Sequence, residues 1–434
     1  MKRPQVKAWA RTKISYLVSE LGGSTPSKDR PEFWMGNVPW VSPKDMKVEC
    51  IRDSIDHVTQ QALAETSLRT VPSGSVLMVV RGMILAHTVP VALTETPVTL
   101  NQDMKALVPG PRVSGLFLRY CLQAYQAALL ALVEEAGHGT RCLRSELWRK
   151  FELPLPPLPT QKAIADFLDR KTAAIDALIE KKQRLLALLA EKRAALINQA
   201  VTKGLDPNVP MRDSGVAWIG EIPAHWEVVP LRLYAKVIDC KHRTPEYIEE
   251  GFPIVSTTEV KPGRLDLTPV TRRVGEADFQ DMTQNRTPTR GDIIYSRNAS
   301  LGAAAYVDTD EPFAMGQDVV LITKPDLDLL YLSYQLNSLV GMTQVDLVCI
   351  GSTFKRINVG QIKQIQVCGP PPAEAEQIAA FIDHEEQRQE SLRKSLERHL
   401  ERLQEYRQAL ITAAVTGQLG IDEETSHGAF PLEA

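Results

Sequence analysis

The sequence predicts an α+β protein built from two copies of one unit, each copy a mixed globule followed by a long helix. Three observations predict it. The first is an internal repeat. At an offset of 214 residues, Ile164-Ala165-Asp166-Phe167-Leu168-Asp169 lies over Ile378-Ala379-Ala380-Phe381-Ile382-Asp383. The match continues without a gap to Ala200-Val201-Thr202 over Ala414-Val415-Thr416. The same offset sets Pro39-Trp40-Val41-Ser42 over Pro253-Ile254-Val255-Ser256, and Phe117-Leu118-Arg119-Tyr120 over Tyr331-Leu332-Ser333-Tyr334. A small gap brings Gln102-Asp103 over Gln317-Asp318. The second observation is that residues 160–202 hold neither Gly nor Pro and carry apolar residues at helical spacing. The third is a set of short β-type runs, 75–80, 292–296 and 319–322, set between turn-forming clusters. A chain of 434 residues also exceeds what one ordinary core supports.

The elements follow in order. Residues 1–159 form the first globule, and the proline-rich run 154–159 precedes a helix that it could not continue. A first long helix is expected over 160–205. Residues 206–372 hold a linker, Asp206 to Pro223, and the second globule. A second long helix covers 373–420, and 421–434 form a frayed acidic tail. Inside the globules, further helices are expected at 115–136 and 327–347.

Helices of more than forty residues usually pair as coiled coils. The expected seam uses Ile164, Phe167, Ile175, Leu178, Leu185, Leu189 and Leu196 on the first helix, with Ile378, Phe381, Leu392, Leu396, Leu403 and Leu410 on the second. His399 and Tyr406 also fall on its 4-3 pattern. The first helix is net basic (Lys162, Arg170, Lys171, Lys181, Lys182, Arg184, Lys192, Arg193). The second is net acidic. Opposite charge favours pairing of the two with each other, antiparallel, about a pseudo-twofold axis.

Composition bounds the function. Lys and Arg number 50 against 53 Asp and Glu, a net charge of −3, which excludes a uniformly basic nucleic-acid coat but not local basic faces. No apolar run follows MKRPQVKAWARTK, so a signal peptide is not expected, and no stretch reaches membrane-spanning length. The six cysteines form no CxxC pair and read as reduced thiols of a cytoplasmic protein. The sequence contains no GxxxxGK[ST], no GxGxxG after a strand, no Asn-Pro-Pro-Tyr type box and no HExxH. Asp239 with Glu259-Val260-Lys261 has the spacing of a nuclease metal site, but that pattern is common by chance, and the aligned Thr25 carries no acid. No catalytic or metal-ligating residue is assigned.

Basic and hydrogen-bonding residues in the globules have the composition of a DNA-facing surface, with Lys and Arg for phosphates and Arg, Asn, Ser and Thr for base edges. In the first globule these are Ser42, Lys44, Lys47, Arg81, His138, Thr140, Arg141 and Arg144. In the second they are Lys241, Arg243, Thr257, Lys261, Arg297, Asn298, Ser352, Thr353, Lys355 and Arg356.

Pro154-Leu155-Pro156-Pro157-Leu158-Pro159-Thr160-Gln161-Lys162-Ala163-Ile164 leading into a long helix resembles the DNA specificity subunit of Type I restriction–modification systems. So does Arg212-Asp213-Ser214-Gly215-Val216-Ala217-Trp218-Ile219-Gly220-Glu221-Ile222-Pro223-Ala224-His225-Trp226, and the resemblance covers nearly the whole chain. One departure is Gln161-Lys162, where the second unit has the usual Glu376-Gln377. The resemblance implies a non-catalytic adaptor with two target recognition domains, each reading half of a bipartite, asymmetric site in double-stranded DNA. The long helices would set the spacing and dock two methyltransferase (modification) subunits, and restriction/translocase subunits would join them. S-adenosylmethionine, ATP and Mg would belong to those partners. Two alternatives stand beside it: a coiled-coil DNA-binding scaffold or regulator, and a self-contained nuclease or methyltransferase.

Overall fold

In the computed structural model, which describes residues 9–135, 139–325, 327–349 and 356–421, the chain divides into two units. One comprises residues up to Lys182 together with those from Arg398 on; the other is Gln183–Glu397. Each long helix therefore starts in one unit and ends in the other. No described helix is long and apolar enough to cross a membrane.

The first unit is built on a five-stranded sheet in the order Val18–Gly22, Met104–Pro109, Val76–Val79, Val91–Thr94, Cys50–Ile51. Only the last pair is parallel. Val76–Val79 is buried along its whole length, as its unbroken apolar run requires of a strand covered on both faces. A smaller sheet has the order Asp56–Val58, Trp34–Val41, Thr99–Leu100, the last pair again parallel. The helix Gly115–Ala124 starts where the Ser114 hydroxyl accepts the Phe117 N–H, and it buries Phe117 to Leu122 in the core.

The second unit repeats this arrangement strand for strand. Its sheet runs Lys236–Asp239, Val319–Thr323, Ile293–Ser296, Ala304–Tyr306, Gly263–Arg264, the last pair parallel. Its smaller sheet is Arg273–Val274, Phe252–Val255, Ala314–Met315. The repeat seen most clearly in the helices thus extends through globules whose sequences have diverged. Of the two expected inner helices, the first breaks into Gly115–Ala124 and Gln126–Leu130 before a strand, Val133–Glu135. The second is Leu330–Asn337 and Leu339–Cys349.

The long helices are Leu158–Lys203 and Pro372–Val415, 46 and 44 residues. Within the second unit they run antiparallel: Gly204 lies beside Glu374, while Arg193 pairs with Glu386. Ile197, Ala200 and Val201 share a core there with Ile378, Ala379 and Ile382. In the first unit Ile164, Phe167, Leu168 and Ile175 pack in one core with Leu410, Ile411, Ala414 and Val415, and Arg407 bonds Asp176 at 2.8 Å. The ion pairs across the helices join a base on one to an acid on the other in both directions.

The seam differs from the sequence expectation at four of its thirteen residues. Leu178, Leu185, Phe381 and Leu392 are exposed, as are His399 and Tyr406. Ile179 and Leu186 take the inward positions, one residue further on, together with Leu189, Leu196, Leu396, Leu403 and Leu410. The stretch 206–223 is also more than a linker. It forms a hairpin, Met211–Asp213 with Glu221–Pro223, and delivers Ile219 and Ile222, with Trp226 just beyond it, into the helix core of the second unit.

One device fixes each globule to its helices. In the first unit the Tyr120 hydroxyl donates to Asp169 (2.5 Å), and Arg119, 2% exposed, bridges Asp169 and Glu49. Arg407 closes on the other oxygen of Glu49 at 2.6 Å. Burial pushes the Glu49 carboxyl up, but Arg119 and Arg407 outweigh it and hold the group below the usual carboxylate range. In the second unit Tyr334 donates to Asp383 at 3.3 Å, and the arginine comes from a strand instead: Arg264 bonds Asp383 at 2.8 Å and also pairs with Asp308. Burial, then Glu386 and Asp383, push the Tyr334 phenol up, so it remains a donor.

Candidate nucleic-acid interface

The candidate residues sort onto distinct places. At one end of each five-stranded sheet three chain segments meet. In the first globule the residue after the central strand, Val80, donates to the Asp103 carbonyl (2.9 Å) and accepts from Leu143 N–H (2.8 Å). In the second, Arg297 donates to the Asp318 carbonyl (2.9 Å) and accepts from Ile357 N–H (3.0 Å). The same two backbone bonds therefore build both ends. They place Arg81 beside the Arg141–Leu143 strand, with Gly82 N–H bonded to the Arg141 carbonyl, and set Asn298 and Arg356 next to the bonded residues Arg297 and Ile357 in the chain.

A third segment closes each end. Gly23 follows the edge strand so closely that a Cβ would meet the Asn101 carbonyl, and the chain then turns through Thr25 and Pro26. Thr25 hydrogen-bonds the Gln102 side chain. The second globule has the same pair, with Gln317 Nε2 donating to the Thr244 hydroxyl at 2.8 Å. In both, the Thr and Gln are exposed and the following proline, Pro26 or Pro245, is buried. The Gln-Asp repeat was visible in the sequence, but the Thr-Pro repeat was missed because it lies at an offset of 219 rather than 214.

Around these common parts the two ends carry different charges. The first presents exposed Arg81 and half-buried Thr140 and Arg141, with Arg144 paired to Glu134 at 2.7 Å. The second presents Lys241 and Arg243 paired with Asp281 and Asp278, Arg356 paired with Asp318 at 2.5 Å, and exposed Asn298. The Lys241 and Arg243 side chains hold the Asp281 carboxyl below its ordinary value. His138, Ser352, Thr353 and Lys355 lie outside the described residues.

Two expected DNA contacts are internal. Arg297 is 5% exposed and bonds Asp239 (2.8 Å) and the Ile357 carbonyl (3.2 Å). Ser42 is 5% exposed and bonds Asp45 through both hydroxyl and N–H. A buried cation needs a partner, and Arg297 has Asp239 and the Ile357 carbonyl, so it ties the sheet end together. Lys44, bonded to Asp56, and Lys47 border a cleft that Glu49 and Arg407 also line. Thr257 is half-buried and Lys261 exposed next to the turn that Glu259 caps.

The nuclease-like spacing also resolves. Glu259 accepts from Ser256 N–H and Arg272, the same turn-capping place that Asp45 fills in the first globule. Asp239, Cys240 and His242 do come together, but one Asp239 oxygen is taken by Arg297 and the other by His242 Nε2 at 3.0 Å. Burial raises the Cys240 thiol. The three form a hydrogen-bonded brace beneath Arg297, not an open ligand set.

Two α+β globules of one topology, each offering a differently charged sheet end, define a duplicated two-domain protein. Residues 7–187 and 226–402 match the Type I restriction modification DNA specificity domain, and the chain belongs to that family. It is 33% identical over 168 residues to the Type I restriction enzyme EcoR124I/EcoR124II specificity subunit of Escherichia coli, covering 38% of this chain and 42% of that one. It is 30% identical over 181 residues to the MjaIX specificity subunit of Methanocaldococcus jannaschii, covering 41% and 40%. The chain thus spans about two fifths of the length of these relatives. Among solved structures, a chain from work on complex assembly and conformational transition of the type I R-M system has the same fold (TM-score 0.68, 16% identity, 95% of this chain and 98% of that one). The HsdS subunit from Thermoanaerobacter tengcongensis aligns with a TM-score of 0.50 at 16% identity, covering 95% and 97%.

Proposed function

We propose that this chain is the DNA-specificity subunit of a Type I restriction–modification complex, a non-catalytic reader of double-stranded DNA. Each globule reads one half of a split, asymmetric site. The observation that carries this is one sheet end built twice on the same backbone bonds and furnished with different cations. A shared frame gives both heads one way of approaching a duplex, and different side chains give them different sequences. Arg81, Thr140, Arg141 and Arg144 are the contacts in the first head, and Lys241, Arg243, Asn298 and Arg356 in the second. His138, Ser352, Thr353 and Lys355 belong to the same set, and Lys44, Lys47, Thr257 and Lys261 face the phosphates from further along each globule.

The long helices set the gap and dock two methyltransferase subunits. The exposed Leu178, Leu185, Phe381 and Leu392 supply apolar area for that contact. Restriction/translocase subunits complete a cytoplasmic assembly, in which S-adenosylmethionine, ATP and Mg are bound by the partners. The test is to co-express the chain with its methyltransferase partner and sequence the methylated sites. The expected result is a split motif with a fixed gap, one half of which changes when residues 206–372 are exchanged for those of another family member. Methylation that appears without this chain, or a motif indifferent to the exchange, would overturn the reading.

A further inference from the structure

The two sheet ends differ in nearly every charged residue yet share a Thr–Gln side-chain pair, Thr25 with Gln102 and Thr244 with Gln317. We propose that this pair is an anchor on the DNA backbone, common to both heads and indifferent to sequence, which sets each head on the duplex before its own residues read the bases. The inference rests on the DNA-reading function proposed above.

Four observations carry it. The pair spans chain segments 77 residues apart in the first globule and 73 in the second, yet the same two residue types meet in both. Both partners are exposed, and an exposed hydrogen bond adds little to folding because each group would otherwise bond water. The loop carrying the threonine is pinned by a buried proline, and the Gln-Asp turn is pinned by the Asp carbonyl accepting from the residue after the central strand. The side chains are therefore held in place by backbone that does not depend on the pair itself.

The chemistry selects the backbone over the bases. A hydroxyl can donate or accept: Thr25 donates to Gln102 Oε1 and leaves that amide's NH2 as the spare donor, whereas Thr244 accepts from Gln317 Nε2 and keeps its own hydroxyl hydrogen as the spare donor. Neither glutamine side chain makes another hydrogen bond among the described residues. Neutral Thr and Gln donors are regular phosphate and sugar partners that fix register without carrying sequence information. Groups that read bases in two different half-sites should differ between the heads, as Arg81 and Asn298 do. The groups that stay the same are those whose ligand is the same on both sides.

The test uses the full chain in its methyltransferase complex, with Gln102 and Gln317 changed together to Ala or to Glu. A glutamate still accepts the threonine hydrogen, so a merely structural role survives Gln→Glu, whereas a carboxylate facing a phosphate repels it. For the Ala pair the expected loss of affinity is about fivefold per head, the size one net hydrogen bond carries. It should be the same factor on target and on unrelated duplex. The loss should be larger for the Glu pair, and the methylated motif should remain unchanged at every position. Thr25→Val with Thr244→Val gives a second reading should the glutamine variants melt early. A changed half-site, or a Glu pair that binds as wild type, overturns the anchor. Wild-type complex that binds no DNA overturns the parent function and the anchor with it. A wild type with a split motif beside silent variants overturns the anchor alone.

Discussion

Glu49 serves two arginines at once, one from a globule helix and one from the second long helix, and its removal leaves Arg119 buried with only a 3.5 Å contact to Asp169. Glu49→Gln should therefore destabilise the first unit by about 2 kcal/mol in denaturant unfolding, less than a fully buried pair because Glu49 is itself 38% exposed. The pH dependence follows from the same contacts. The folded carboxyl titrates below its ordinary 4.5, so its contribution is complete above that value and is lost as the pH falls through the folded pKa. Melting curves of wild type should soften on acidification below about pH 4.5, and Glu49→Gln should remove that part of the slope. Single residues were the least legible level. Arg297 and Arg81 look alike in a sequence, since nothing local says that the first sits over Asp239 and the second on the surface. Pairs such as Thr25 and Gln102 are invisible until the sheet brings their loops together.

At the level of elements, the phase of the helix seam has a direct energetic consequence. Leu396 is 5% exposed and Leu392, one turn earlier on the same helix, is 45% exposed. Leu396→Ala should cost about 2–3 kcal/mol by the loss of buried side chain and the cavity it leaves. Leu392→Ala should stay within about 0.5 kcal/mol. Equal losses in thermal or denaturant unfolding would show that the seam runs where the 4-3 spacing first suggested. The helices themselves were legible because forty residues of unbroken period, free of Gly and Pro, leave few alternatives. Their phase was legible only in part: Leu189 was chosen over Leu188 as the structure has it, but Leu178 and Leu185 stood where Ile179 and Leu186 turn inward, since both neighbours satisfy the spacing and only the partner helix decides. The sheets were legible as isolated strands only. Their order depends on pairs as short as Cys50–Ile51 with Leu93 and Thr94, too brief to leave a pattern.

For the whole molecule, the repeat was the most legible feature of all, and structure carries it further than sequence does: eight strands recur in the same order and sense. The proposed function makes the two helices a ruler. Inserting about seven residues, two turns, at matching positions in both would lengthen the ruler by about 10 Å, the rise of about three base pairs. Sequencing of methylated sites should then return the original half-sites with a wider gap. An altered half-site would mean that the helices shape the heads and do not merely separate them.

The division of the chain into units has a temporal side. The second unit is one uninterrupted stretch, whereas the first needs residues beyond 397: Leu410, Ile411, Ala414 and Val415 belong to its core, and Arg407 reaches Glu49 across 358 positions. During synthesis the amino-terminal globule emerges first but must wait for distant residues, while the later globule already holds everything it packs against. The head made first is the head finished last. Until then it shows an uncovered apolar helix face to the cell, which is the interval in which a chaperone or a partner subunit can act on it.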